Sequence, residues 1–144
     1  MSDTAEPPPG SHRILLIEDN EDARHMLHML LTLAGHEVDS AADGPSGLER
    51  AAVSPPDIAV IDLGLPGVDG YEVARRLRAG GGDGLGLIAL TGYGQPADRQ
   101  AAIAAGFDAH VVKPVDPSHL ESVIASVQRR RLTEREPNEG PGRD

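Results

Sequence analysis

An open, parallel α/β sheet with helices on both faces is the fold class that this sequence predicts, and two observations predict it. The first is a set of four short apolar runs, Ile14-Leu15-Leu16-Ile17, Ile58-Ala59-Val60-Ile61, Leu87-Ile88-Ala89-Leu90 and Val111-Val112, none broken by polar alternation. Such runs suit strands buried on both faces, as the strands of a parallel sheet are. The second is the spacing: the longer intervening segments, of about 15 to 25 residues, have room for crossover helices and carry helix start and stop signals.

Taken in order, strand one is expected at 13–17, and helix one at about 21–34, with Asn20 as N-cap and Gly35 as the stop. Ala23, Leu27, Leu30 and Ala34 share one face of that helix. Strand two, near 37–41, is less apolar, as suits an edge. Asp43 or Gly44 opens helix two, which ends before Ser54-Pro55-Pro56 because the prolines cannot continue it. Strand three is expected at 57–61, followed by the loop Leu63 to Val68. Asp69 and Glu72 have capping-box spacing for helix three, which buries Val73, Ala74 and Leu77. Gly80-Gly81-Gly82-Asp83-Gly84 reads as a turn and not as a phosphate loop, since it enters a strand instead of leaving one for a helix. Strand four is expected at 86–90, helix four at about 96–105 with Gly106 as its end, and strand five at 108–112. Asp116-Pro117 then supplies an N-cap and a first-turn proline for helix five, with Leu120, Val123, Ile124 and Val127 on one stripe. The polar ends, 1–12 and 132–144, are read as a disordered leader and tail around one domain at 13–131.

Each apolar run stops on a polar group: Glu18-Asp19, Asp62, Thr91 and Lys113-Pro114. In a parallel sheet these endings lie along one edge, at the carboxyl ends of the strands, where open α/β sheets bind ligands. Three carboxylates gathered there repel by roughly 3 kcal/mol per pair at ~5 Å and an effective dielectric near 20. A hard divalent cation offsets that repulsion, and Mg²⁺ in particular takes one or two carboxylates together with a substrate phosphate. Asp62, alone at the end of the most central run, is the candidate nucleophile for an aspartyl phosphate. Lys113 then pairs with one phosphoryl oxygen and the Thr91 hydroxyl donates to another.

Composition narrows the alternatives. The chain has no cysteine, which excludes a disulfide framework and thiolate catalysis and is compatible with a reducing, cytoplasmic setting. No stretch approaches the ~20 apolar residues of a membrane span, so no membrane insertion is expected. A net charge of −10 argues against direct binding to nucleic acid, and Arg129-Arg130-Arg131 reads as a helix C-terminus whose cations complement the dipole. Lys113 is the only lysine, so any role that requires a side-chain ammonium falls on it. His25 and His28, three apart on helix one, lack a third ligand and read as surface residues.

Together the motifs resemble the receiver domain of two-component response regulators: Leu16-Ile17-Glu18-Asp19-Asn20, Asp62 with Leu65-Pro66-Gly67-Val68-Asp69-Gly70, Ala89-Leu90-Thr91-Gly92, and Ala105-Gly106-Phe107-Asp108-Ala109 leading into Val112-Lys113-Pro114. The resemblance covers about residues 12–130. It implies a flavodoxin-like (βα)5 three-layer sandwich with strand order 2-1-3-4-5, which sets strands one and three side by side. It further implies Asp62 as phosphoacceptor, Glu18, Asp19, Asp62 and the Gly64 backbone carbonyl around Mg²⁺, Thr91 as the switch hydroxyl, Lys113 as phosphoryl ligand, and a cis Lys113-Pro114 bond. The donor it implies is a histidine kinase or a histidine-phosphotransfer domain, and the readout is an altered helix 4–strand 5–helix 5 face meeting a downstream protein.

Two departures bear on timing and readout. His110 stands where the family usually carries Tyr or Phe, three before Lys113, and is a candidate switch residue. Gly64 has no side chain to orient a water and Tyr93 is bulky, so slow autodephosphorylation is expected. The rival reading is a Mg²⁺-dependent phosphohydrolase with an aspartyl-phosphate intermediate, which would be expected to carry a second acid where this chain has Gly64. A non-phosphorylated interaction domain would be expected to lack Asp62 or Lys113, and both are present. No output domain is expected after helix five, so the chain is read as a single-domain regulator or a piece of a hybrid kinase.

Overall fold

The computed structural model describes residues 12–81, 84–92 and 99–135. Five strands alternate with five helices: β1 Arg13–Ile17, α1 Glu21–Leu33, β2 Glu37–Ala41, α2 Gly44–Val53, β3 Ile58–Asp62, α3 Gly70–Gly81, β4 Gly86–Thr91, α4 Arg99–Ala105, β5 Ala109–Val112 and α5 Pro117–Arg135. All strand pairs are parallel and the sheet order is β2-β1-β3-β4-β5. The polar strand β2 is an edge, as its composition predicts, and β3 is the centre.

Strand alternation divides the core. Leu15, Ile17, Ala59, Ile61, Leu87 and Ala89 pack with Val73, Ala74, Leu77 and Ala105 of α3 and α4. Ile14, Leu16, Ile58, Val60, Ile88, Leu90 and Val111 pack with Leu27 and Leu31 of α1 and Leu120, Ile124 and Val127 of α5. Successive side chains of a strand point to opposite faces, so uniformly aliphatic runs are what two helical layers require.

Several caps take the expected form. Asn20 accepts from the Ala23 N–H at 2.9 Å, Asp43 from Ser46 at 2.8 Å, and Asp116 from Ser118 at 3.0 Å. Asp69 accepts the Glu72 N–H at 3.0 Å, but the capping box is only half built. The Glu72 carboxylate is taken instead by Arg75 and Arg76, one turn further on, at 3.0 and 2.9 Å. Gly35 turns the chain after α1 with φ +102°, a conformation that favours glycine.

The boundaries shift in informative ways. Asp62 and Thr91 are the last residues of their strands and do not lie beyond them. Strand β5 starts at Ala109 and not at 108, and Asp108 brackets the neighbouring strand, its N–H donating to Leu87 O at 2.7 Å and its carboxylate accepting the Leu87 N–H at 2.9 Å. Helix α3 runs into the glycine run as far as Gly81. Helix α5 continues to Arg135, past the expected boundary at 131, because good helix formers carry it on until Pro137 comes near. The triple arginine is therefore not at the helix end. Arg130 donates to the Asp108 carbonyl at 3.0 Å, and Arg131 holds the Asp108 carboxylate with Nε at 3.0 Å and Nη2 at 2.7 Å. His12, counted with the leader above, is tied in by its N–H to His36 Nδ1 at 3.0 Å. The expected start of helix four and Tyr93 lie outside the described residues, as do residues 1–11 and 136–144.

Gly70 fixes where α3 begins. A Cβ there would lie 2.6 Å from the Asp62 carbonyl oxygen and 2.8 Å from the Leu63 Cα, both backbone atoms that cannot swing aside. Gly70→Ala is expected to destabilise the fold by about 1–3 kcal/mol, in the range of overpacked sites, as measured by urea denaturation.

Candidate functional site

The strand ends form one cluster because the ladders run a residue past the strands. Glu18 N–H donates to Ala41 O at 3.1 Å, Leu63 N–H to Leu90 O at 3.0 Å, and Lys113 N–H to Thr91 O at 2.8 Å. Ile17 is the register partner of Ile61, so Glu18 comes beside Asp62, and Asp62 is paired with Leu90, directly before Thr91.

One oxygen from each of Glu18, Asp19 and Asp62 lies within 4.8 Å of the others. Glu18 is fully buried, Asp62 nearly so, and Asp19 is exposed. Lys113 reaches across the sheet edge, its Nζ 2.9 Å from Glu18 Oε1 and 3.1 Å from Asp62 Oδ2. Gly64 N–H donates to Asp62 Oδ1 at 2.9 Å and Asn20 N–H to Glu18 Oε2 at 3.0 Å. The Lys113-Pro114 peptide is cis. The cluster thus joins Glu18, Asp19, Asp62 and Lys113 as read from the sequence, with Gly64 touching Asp62 through its N–H.

Thr91 is buried at the end of β4. It lines a cavity of about 490 Å³ together with Ala102, Ile103, Phe107 and His110. His110 is exposed on β5, opposite Ala89. Sequence reasoning missed Arg24, whose Nη1 donates to the Glu18 carbonyl at 3.0 Å, and nothing in its surroundings marks it out among twelve arginines. It also missed His36, a buried imidazole whose Nε2 is 2.9 Å from the Glu121 carboxylate, a pairing across 85 residues.

Burial pushes the Glu18 carboxyl above its ordinary value of 4.5, and Asp62 adds to the rise, while Lys113 and the Asn20 N–H pull it back. At Lys113, burial works against the ammonium, but the hydrogen bond to Glu18 and the charge of Asp62 outweigh it and hold the pKa above 10.5. Glu18 Oε1 is buried, with Lys113 Nζ at 2.9 Å as its partner. Three carboxylates converging within 4.8 Å, two of them buried and sharing the Lys113 ammonium, are a donor set suited to a hard divalent cation.

The Glu18 shift has a sign for stability. Its proton is held more firmly in the folded chain, so its contribution is fully present below 4.5 and is lost as pH rises through the folded value. Without divalent cation, Glu18→Gln is expected to raise the thermal midpoint at neutral pH and to flatten its dependence on pH above 4.5. A lower midpoint would show that the Lys113 pair outweighs the burial.

Comparison with known proteins places this architecture. A family model described as the response regulator receiver domain matches residues 14–125. The transcriptional regulatory protein AfsQ1 of Streptomyces coelicolor is 42% identical over 117 residues, which are 81% of this chain and 51% of that protein. The two-component response regulator PhoP of Pseudomonas aeruginosa is 38% identical over 118 residues, 82% of this chain and 52% of its own. The chain thus spans about half the length of these curated relatives. Among solved structures, a CheY-like receiver domain protein of Methanospirillum hungatei superposes with TM-score 0.78 at 27% identity, covering 85% of this chain and 97% of that one. Chemotaxis protein CheY4 of Vibrio cholerae superposes with TM-score 0.75 at 28% identity, covering 80% and 97%.

Proposed function

The chain belongs to the response regulator receiver domain family of two-component signalling, and on that premise we propose that Asp62 accepts a phosphoryl group and so switches the binding of a partner protein. The observation that carries this reading is Lys113 Nζ standing within 3.1 Å of both Glu18 and Asp62, in a cluster that also holds Asp19. An ammonium beside a carboxylate nucleophile meets the charge of an incoming phosphoryl group, and phosphoryl transfer depends chiefly on such positioning and neutralisation.

The proposed donor is a phosphohistidine of a histidine kinase or histidine-phosphotransfer domain. Its N–P bond breaks as a bond from phosphorus to an Asp62 carboxylate oxygen forms. Glu18, Asp19, Asp62 and the Gly64 carbonyl would hold Mg²⁺, which supplies neutralisation of the phosphoryl oxygens when bound. Lys113 pairs with one phosphoryl oxygen and Thr91 donates to another. His110, exposed at the cavity that Thr91 also lines, follows Thr91, and the α4–β5–α5 surface with exposed Ile103 and Val112 meets the downstream protein. A cytoplasmic setting fits this chemistry; among the described residues no helix is long and apolar enough to cross a membrane.

Incubation with a small-molecule acyl phosphate and Mg²⁺ tests the reading. A stably labelled protein is the expected result. Rapid turnover without label would favour a phosphohydrolase, and neither label nor turnover would favour an interaction domain. Because Gly64 brings no side chain to orient a water, the phosphorylated form is expected to persist for minutes or longer, on the order of 10³-fold slower hydrolysis than a well-oriented general base gives. A lifetime of seconds, followed by quenched-flow mass spectrometry, would sink that expectation.

A further inference from the structure

Asp19 is the one exposed member of the carboxylate cluster, and among the described residues no hydrogen bond or ion pair holds its side chain. Its place at the cluster is therefore set by the backbone of the Glu18-Asp19-Asn20 corner. That corner is fastened from both sides. Toward the sheet, Glu18 N–H bonds to Ala41 O at 3.1 Å. Toward α1, Arg24 Nη1 donates to Glu18 O at 3.0 Å, while Arg24 N–H donates to Asn20 O at 2.9 Å. Arg24 thus grips the corner with side chain and main chain together, through the Glu18-Asp19 peptide on one side and the Asn20-Glu21 peptide on the other.

We propose that Arg24 is a positioning residue for the cation site, holding the Glu18-Asp19-Asn20 corner so that the Asp19 carboxylate stays within reach of Glu18 and Asp62. The proposal rests on the cation-binding part of the function proposed above. It makes a prediction opposite in sign to simple charge counting. A guanidinium beside an acidic cluster repels a divalent cation, so if charge alone mattered, removing Arg24 would tighten binding. If the side chain acts by fixing the backbone, removing it loosens Asp19 and weakens binding. Groups that orient metal ligands without touching the metal typically contribute 10–100-fold in affinity.

The test is a titration of the whole chain with Mg²⁺ alone, following backbone amide shifts at Asp19, Asn20 and Asp62 by NMR. Arg24→Gln, which removes the charge, is expected to weaken Mg²⁺ binding by about 10- to 100-fold. Arg24→Lys, which keeps the charge and a donor group, is expected to recover most of the loss. Thermal melts in the absence of metal check that the variants are folded at the titration temperature. If Arg24→Gln is folded and binds Mg²⁺ as tightly as the unaltered chain, or more tightly, the positioning role is overturned. If the unaltered chain itself shows no Mg²⁺-dependent shifts at these amides, the cation-binding reading falls first and takes this role with it.

Discussion

Asp62→Asn is expected to take up no detectable phosphoryl group from an acyl phosphate under conditions where the unaltered chain is labelled, as read by intact-protein mass spectrometry. The amide has nearly the shape of the carboxylate and can keep the Gly64 N–H bond, 2.9 Å in the native chain, so the fold should survive. What it lacks is the anion. A neutral amide oxygen is a poor nucleophile toward phosphorus, and covalent catalysis by a carboxylate depends on its ionised form. Asp62 is also the member of the cluster on the central strand, held from two sides by Gly64 and Lys113. Undiminished labelling of Asp62→Asn would move the acceptor to Glu18 or Asp19.

Asp108→Ala is expected to cost about 3–5 kcal/mol of stability, the range found when one partner of a buried charge pair is removed. Against a total of about 5–15 kcal/mol for an ordinary domain, that brings the chain close to unfolding. The Asp108 carboxylate is 7% exposed and is shared by Arg78 at 3.2 Å and Arg131 at 2.7 Å. It also accepts the Leu87 N–H at the start of the β4–β5 ladder. Arg78 further donates to the carbonyls of Leu85 and Gly106, so one carboxylate organises α3, the α4–β5 turn, β4 and α5. Truncation removes the Asp108 carboxylate from two largely buried guanidinium groups. Urea denaturation measures the loss, and a change below about 1 kcal/mol would show that water takes the place of the carboxylate, as at exposed pairs.

The sheet and its polar strand ends were legible for the same reason. Strands buried on both faces must be aliphatic throughout, so the polar residue that ends each one stands out. Glu18, Asp62, Thr91 and Lys113 were conspicuous because each interrupts such a run. The strand order was not in the runs themselves; it came from the resemblance, and the observed order agrees with it. Asp108 was less legible. It looks like part of a strand, and its partners Arg78 and Arg131 lie 30 and 23 residues away on two different helices. The triple arginine had a local explanation at a helix end, and the longer α5 gave it a distant partner instead. Arg24 was invisible because its partner is a backbone carbonyl, which no residue type marks, and His36 because its partner is a glutamate 85 residues on. Local rules see caps, turns and periodicity, whereas contacts closed by the tertiary fold leave no pattern in the sequence.

Asp62 is the proposed carrier of the phosphoryl group, and chemical trapping shows which side chain holds it. Borohydride reduces an acyl phosphate to an alcohol, so treating the labelled protein and mapping its peptides marks the acceptor as a homoserine. Homoserine is expected at position 62, dependent on prior exposure to phosphodonor. Reduction at Glu18 or Asp19 instead, or label that leaves all three carboxylates untouched, would contradict it.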